Sequence, residues 1–166
     1  MRALGIDLGR RRIGLAVSDA TQTLARPLRT LERGPSDRLA LRDVTAAVDE
    51  LSAEPDGLAL IVVGLPLRLD GSPSDETARV QEMVTALRRR VRVPVVLQDE
   101  RLSSHEADSR LALRERDWRK RKARLDAAAA AVILQDYLDG RPLSNRPTAE
   151  GQPVDDDQPA GEDQPS

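Results

Sequence analysis

The chain has 166 residues and a mass of 18.2 kDa, which is enough for one domain with a hydrophobic core. The absence of cysteine excludes disulfides, thiolate metal sites and a cysteine nucleophile, and the absence of Phe leaves Leu, Val, Ile and Ala to fill the core. The net charge of −2 conceals two parts, because six of the 28 acidic residues and none of the 26 basic residues follow Pro147, so that residues 1–146 carry +4.

The positive charge of residues 1–146 suits a polyanionic partner such as a nucleic acid. No apolar run approaches the length of a membrane span and no leader sequence is recognisable, so we expect a cytoplasmic protein without a membrane partner. The sequence leaves the oligomeric state open.

The first 31 residues predict a β-hairpin followed by an edge strand. Two apolar runs, Ala3–Leu8 and Ile13–Val17, are separated by Gly9 and three arginines, which is the pattern of two strands joined by a turn. A third strand is predicted over Leu24–Leu31. It contains Pro27, which cannot donate a hydrogen bond to a neighbouring strand, so we expect this strand at the edge of the sheet.

The middle of the chain alternates helices with strands. Apolar residues at spacings of three and four predict an amphipathic helix over Ser36–Ala53, and the continuous apolar run Leu58–Val63 predicts a buried parallel strand. Ser72 is predicted to cap a second helix, which has Pro73 in its first turn. The next strand is predicted over Val93–Leu97.

Two further helices and a tail complete the prediction. Capping-box spacing predicts a helix over Ser103–Arg114, and an alanine-rich helix is predicted over roughly Arg121–Asp139, where Gly140 ends it. The order of three strands, helix, strand, helix, strand and two helices predicts an α/β domain over residues 1–144. Residues 145–166 are dominated by Pro, Gly, Gln, Asp and Glu, and we expect them to form a disordered acidic tail.

Three carboxylates stand at positions that suggest a common site. Asp7 closes the first strand, Glu100 follows the last strand, and Asp126 opens the alanine-rich helix. Carboxylates gathered at strand ends and a helix start can hold Mg²⁺ or Mn²⁺ against a phosphodiester, so the pattern predicts a metal-dependent nuclease. The ordinary alternative is that each acid caps a turn or pairs with a neighbouring basic residue.

Basic residues flank all three acids. Three arginines occupy the hairpin turn, one follows Glu100, and residues 114–124 hold seven basic residues around the single Trp. Such a segment can neutralise phosphates and stack one unpaired base, although a solvated helix with the Trp in the core is the simpler alternative. The predicted nucleic-acid contacts are Arg10, Arg11, Arg12, Arg101, Trp118, Arg119, Lys120, Arg121, Lys122 and Arg124.

These segments, in their order, resemble the YqgF family, which is also called RuvX. The resemblance spans residues 1–140. It is carried by Asp7-Leu8-Gly9, Arg12-Ile13-Gly14, Ser18-Asp19, Val63-Gly64-Leu65-Pro66, Asp70-Gly71-Ser72, Asp99-Glu100-Arg101-Leu102-Ser103, Glu106-Ala107, Asp126 with its alanines, Ile133-Leu134 and Tyr137-Leu138.

The resemblance implies an RNase H-like fold with a mixed five-stranded sheet, and a divalent-metal site formed by Asp7, Glu100 and Asp126. Members are described as nucleases that trim the 5′ end of the 16S ribosomal RNA precursor, or as homologues of Holliday-junction resolvases that cut branched DNA. Our hypothesis places Asp7 between two cations roughly 3.5–4 Å apart, with Glu100 on one and Asp126 on the other. Ribosomal precursor RNA is the favoured substrate, and structured or single-stranded DNA is the alternative.

The chain departs from related patterns at two places. Arg10 stands in the hairpin where the family usually has a small residue. The resolvase pattern has an acid soon after the central strand, whereas this chain has Gly64-Leu65-Pro66 there and offers Glu100 from the next strand.

Two other functions fit parts of the same pattern. A kinase or ATPase of the actin-like superfamily also has an Asp-x-Gly phosphate loop, but it needs two lobes and a second glycine-rich motif, neither of which this chain offers. A non-catalytic module that binds RNA through its basic surface would not require all three acids.

Overall fold

The structure is a computed structural model that describes residues 1–100 and 118–141, with only the backbone described for Trp118, Arg119, Arg121 and Lys122. It contains five strands and three helices in these ranges. In chain order they are β1 (Arg2–Leu8), β2 (Arg12–Ser18), β3 (Ala25–Glu32), α1 (Asp37–Ala53), β4 (Leu58–Leu65), α2 (Asp75–Arg88), β5 (Val95–Asp99) and α3 (Trp118–Asp139).

The strands form one mixed sheet in the order β3-β2-β1-β4-β5. β2 is antiparallel to both of its neighbours, whereas β1, β4 and β5 run parallel. This confirms the predicted α/β fold with a mixed five-stranded sheet and the edge position of the strand that contains Pro27. The carboxyl ends of β1, β4 and β5 therefore share one edge of the sheet, together with the β1–β2 turn.

One face of the sheet is covered by α1 and α2. Side chains alternate along a strand, so Leu4 and Ile6 of β1 point to this face, as do Ile61 and Val63 of β4. α1 and α2 meet them with apolar stripes at helical spacing, as the sequence predicts. These stripes consist of Ala40, Leu41, Val44, Ala47, Val48 and Leu51 in α1, and of Val80, Met83, Val84 and Leu87 in α2.

The opposite face is covered by α3, which approaches the sheet unusually closely. A Cβ atom on Gly14 would overlap the carbonyl oxygen of Asp126, and one on Gly5 would lie 2.8 Å from the carbonyl oxygen of Ala130. Glycine is therefore required at both positions if α3 is to rest on the backbones of β1 and β2. Around this contact the core is small and aliphatic, and includes Ala3, Ala16, Val62, Ala130, Ile133, Leu134 and Leu138.

Some predicted boundaries are wrong. α2 begins at Asp75, because Ser74 accepts the N–H of Thr77 and forms a capping box with it, whereas Ser72 bonds to Asp70. α3 starts three residues earlier than predicted, and β5 starts two residues later. The predicted helix over residues 103–114 and the predicted tail lie outside the described residues.

None of the helices in the described ranges is long and apolar enough to cross a membrane.

Candidate active site

Asp7 and Asp126 are brought together by the close contact between α3 and the hairpin. Asp7 lies on the same side of β1 as Ala3, which packs against α3. Across the hairpin Asp7 is paired with Gly14, and the backbone of Asp126 lies directly over Gly14. The absence of a side chain at position 14 thus allows the first turns of α3 to reach Asp7.

The surroundings of Asp7 disfavour its charged form. They raise its pKa from the ordinary 3.8 to about 6. Burial is the larger cause because it removes water from the carboxylate, and the negative charge of Asp126 adds to the effect. Asp7 and Asp126 are therefore close enough to repel each other.

Glu100 joins the same face from the neighbouring strands. It directly follows β5, and its N–H donates to the carbonyl oxygen of Leu65 at 3.3 Å. A Cβ on Gly64 would overlap Oε2 of Glu100, so the Glu100 carboxylate fills the space that a side chain at position 64 would occupy. In the resolvase pattern an acid follows the central strand. Here Gly64 at the end of that strand leaves the space open, and the Glu100 carboxylate, which follows the neighbouring strand β5, occupies it.

The pKa of Glu100 is raised from 4.5 to about 8. Burial is the largest cause, the charge of Asp7 is the second, and that of Asp99 is the third. Asp7 therefore interacts with both other acids, with Asp126 on one side and with Glu100 on the other. Within residues 1–100 and 118–141, however, no three acidic or histidine side chains are arranged as a group that could hold a metal ion.

This set of groups is suited to a hard divalent cation. Buried carboxylates that repel one another are costly without a compensating charge, and a divalent cation supplies such a charge. All the ligands on offer are carboxylate oxygens, which Mg²⁺ and Mn²⁺ prefer over the sulfur and nitrogen ligands that select zinc. The assignment of Asp7, Glu100 and Asp126 as metal ligands and catalytic residues remains a prediction that these contacts support.

The arginines of the hairpin turn are not equivalent. Arg10 is 74% exposed and pairs with Glu76 at 2.6 Å. The side chain of Arg12 is only 16% exposed and lies 3.9 Å from Glu32. Arg11 is exposed at the turn, close to the end of the strand that carries Asp7. Arg11 is thus the best placed of the three to meet a phosphate, and Arg10 would first have to leave Glu76.

The other predicted nucleic-acid contacts are only partly described. Lys120 and Arg124 are exposed in the first two turns of α3, four residues apart and hence on one side of the helix. The side chains of Trp118, Arg119, Arg121 and Lys122 are not described, and Arg101 lies outside the described residues. Arg124 also lines a cavity of about 450 Å³ between β3 and α3, which none of the three acids lines.

Arg33 also belongs to the site region, although no motif in the sequence points to it. Its guanidinium donates to the carbonyl oxygen of Gly9 at 2.8 Å and pairs with Asp37, and its backbone N–H donates to the carbonyl oxygen of Arg11 at 2.8 Å. The side chain is 8% exposed. Arg33 therefore fixes the turn that follows Asp7. Its only signal in the sequence is its place directly after β3, beside the hairpin.

Comparison with known proteins gives the following matches. A sequence profile of the RuvX family, described as Holliday junction resolvase, matches residues 1–140. A protein of Anaeromyxobacter sp. (strain Fw109-5) is 44% identical over 141 residues, which cover 85% of this chain and 98% of the relative. A protein of Chloroflexus aggregans is 41% identical over 138 residues, covering 83% and 93%. Both carry the name "Putative pre-16S rRNA nuclease".

Among solved structures, T. thermophilus RuvC in complex with a Holliday junction substrate has a TM-score of 0.47 and 20% sequence identity to this chain. The match covers 80% of this chain and 91% of the RuvC chain.

Proposed function

The chain belongs to the RuvX family, and we propose that it is a divalent-metal-dependent nuclease that hydrolyses phosphodiester bonds in the precursor of 16S ribosomal RNA. The observation that carries this proposal is the electrostatic repulsion of Asp7 with both Asp126 and Glu100. Asp7 faces Asp126 on one side and Glu100 on the other, and the pKa values of Asp7 and Glu100 are raised to about 6 and about 8. Strongly perturbed carboxyls at one sheet edge are typical of functional sites.

Asp7, Glu100 and Asp126 would hold Mg²⁺ or Mn²⁺. Bound there, these cations would activate water and stabilise the charge on the attacking and departing oxygens. In the metal-free protein the Glu100 carboxyl keeps its proton at neutral pH, because its pKa is about 8. It must release that proton before its two oxygens can act as ligands. Asp126, in the third turn of α3, would orient the water.

The surface around the acids supports a nucleic-acid substrate. Arg11 is exposed next to the end of β1, and Lys120 and Arg124 are exposed in the first turns of α3. Phosphates are neutralised by such side chains without regard to base sequence. The choice of ribosomal precursor RNA comes from the names of the relatives, and a cytoplasmic location is part of the same proposal.

Cleavage of a 16S precursor transcript in Mg²⁺ or Mn²⁺ tests the proposal. We expect the wild-type chain to shorten the precursor at its 5′ end, leaving a 5′-phosphate, and Asp126→Asn to bind the transcript but not to cut it. Asp49→Asn, which changes an exposed acid of α1, is the matched control and should cut normally. Equal cleavage by wild type and Asp126→Asn would refute the assignment.

A second candidate is the cutting of branched DNA, which the family description as a Holliday junction resolvase favours. A four-way DNA junction in the same assay separates the two substrates. Faster cutting of the junction than of the RNA would favour the second candidate. Tight RNA binding without cleavage in any divalent cation would instead favour a non-catalytic RNA-binding module.

A further inference from the structure

The connection between β4 and α2 forms a short finger, which we define as Leu67–Pro73. Leu67 and Pro73 are bridged as in an antiparallel ladder, and the N–H of Arg68 donates to the carbonyl oxygen of Ser72 at 2.9 Å. The N–H of Gly71 donates to the carbonyl oxygen of Arg68 at 2.8 Å, which closes a four-residue turn. Gly71 has a φ of +85°, a conformation that favours glycine.

Side chains make the finger rigid. Asp70 Oδ1 accepts from the N–H of Ser72 at 2.8 Å and from its hydroxyl at 2.6 Å. At the base, the buried hydroxyl of Thr77 donates to the carbonyl oxygen of Pro66. A segment held by this many local hydrogen bonds loses little conformational entropy when it binds a partner.

The tip of the finger combines an apolar and a basic side chain. Leu69 occupies the first central position of the turn and is 81% exposed. Covering a leucine from water is worth about 1.5–3 kcal/mol, so a ligand that buries the exposed part of Leu69 gains free energy on this scale. Arg68 is exposed beside it, and its guanidinium forms no ion pair with any of the residues described.

The finger leaves the same edge of the sheet that carries the acids. The Glu100 carboxylate lies over Gly64, which is five residues before Leu69. Five residues span at most about 17 Å, which corresponds to about five nucleotides of a stacked strand. A nucleic acid bound at the acids would therefore pass within reach of Leu69.

We propose that the finger is a wedge that recognises the end of a nucleic-acid stem. Leu69 would insert beside the terminal base pair where the strands separate and partly unstack it, and Arg68 would contact a phosphate there. Apolar side chains such as Leu are used in this way to unstack base steps. One leucine and one arginine are too small a surface for a stable protein interface. The inference rests on the proposed function and narrows it to substrates with a stem end or a junction near the cleaved bond.

Fluorescence of 2-aminopurine, placed in the terminal base pair of a stem-loop, tests the wedge. The titration is performed without divalent cations, with the stem-loop made once as RNA and once as DNA. We expect wild-type protein to raise the fluorescence in at least one of the two, because unstacked 2-aminopurine is brighter. Leu69→Ala should lose this rise and bind the stem-loop about 3- to 10-fold more weakly, while its affinity for an unstructured strand stays unchanged.

Leu24 provides the matched control. It is another leucine that is 66% exposed, but it lies after β2, at the opposite end of the sheet. Leu24→Ala should behave as wild type, and Leu69→Met, which keeps an apolar tip, should restore the fluorescence rise. A rise that is equal in wild type and Leu69→Ala, or absent with both stem-loops, would overturn the wedge. Because the readout is binding, a chain that shows the wedge signal but never cuts would contradict only the proposed nuclease.

Discussion

Asp7 and Glu100 are held in the fold at a cost to stability. Each has a raised pKa, so the folded state favours its protonated form. The stability that each group contributes is therefore fully present below its ordinary pKa, 3.8 for Asp7 and 4.5 for Glu100. It is lost as the pH rises through about 6 for Asp7 and about 8 for Glu100. The metal-free protein should thus lose stability between acid and weakly alkaline pH.

Asp7→Asn tests whether ionisation of Asp7 destabilises the metal-free protein. The amide cannot ionise, so at pH 8 and without metal the variant should be more stable than wild type by about 1–3 kcal/mol, given about 1.4 kcal/mol per pKa unit. Well below pH 3.8 the advantage should vanish, because Asp7 is then neutral in both the folded and the unfolded state. Urea unfolding at the two pH values measures the difference. Asp49→Asn is the control, and a gain of the same size in that variant would contradict the explanation.

Glu76 pairs with Arg10 and would compete with a bound nucleic acid for its guanidinium. It accepts from Arg10 at 2.6 Å and also lies 3.8 Å from Arg79. Glu76→Gln removes the competing charge, so we expect roughly 2- to 5-fold tighter binding of an RNA strand at low salt, an effect that screening weakens at high salt. Filter binding at two salt concentrations measures it. Asp43→Asn releases Arg42 on α1 and should change binding less. A similar gain in RNA affinity in both variants would mean that the net charge of the protein, and not the release of Arg10, determines the affinity.

At the level of elements, α3 couples the stability of the fold to the geometry of the site. It carries Asp126 and rests on backbone positions where no Cβ fits. The sequence shows that alanines follow Asp126, which predicts close packing of this helix on the sheet. It does not show that Gly5 and Gly14 receive the helix, because that contact joins residues more than 100 positions apart. A glycine in a strand predicts close approach but does not identify the partner.

Gly14→Ala should push α3 away from the hairpin. Its Cβ would overlap the carbonyl oxygen of Asp126, which is backbone and cannot yield as a side chain does. We expect a loss of stability of about 1–3 kcal/mol and a larger loss of cleavage, because Asp126 moves away from Asp7. Urea unfolding and the precursor cleavage assay measure the two effects. Gly34→Ala serves as the control, because its Cβ would meet only side-chain atoms of Leu39, at 3.3 Å. Full cleavage by Gly14→Ala would disprove the coupling.

The strand order was predictable because each strand carries a local signal. Pro27 identifies the edge strand, and the apolar run at residues 58–63 identifies a buried one. The start of α2 was not predictable with the same ease, since Ser72 and Ser74 both resemble helix caps. The structure uses Ser74 as the cap and Ser72 to close the finger. The choice depends on the partner side chains Thr77 and Asp70, which a pattern of residue types does not resolve.

For the whole molecule, formal charge is divided unevenly along the sequence, with +4 on residues 1–146 and −6 on residues 147–166, the predicted acidic tail. A chain that ends at Asn145 loses six acidic residues and Arg146, so its formal charge changes from −2 to +3. We expect this truncation to tighten non-specific nucleic-acid binding several-fold at low salt and to have little effect at high salt. Replacing the six tail acids by amides, at full length, should have a similar effect. Unchanged affinity in both variants would show that the tail charge does not reach the binding surface.

Divalent cations are expected to bind between Asp7 and its neighbouring acids, and calorimetric titration with Mn²⁺ measures this binding. Because Glu100 has a pKa of about 8, binding should release a proton at pH 7 and should become tighter as the pH is raised past 8. Asp7→Asn should bind Mn²⁺ at least about 10-fold more weakly, whereas Asp49→Asn should bind it as wild type does. Equal Mn²⁺ affinity in wild type and Asp7→Asn, with no proton released, would show that these acids do not form the metal site.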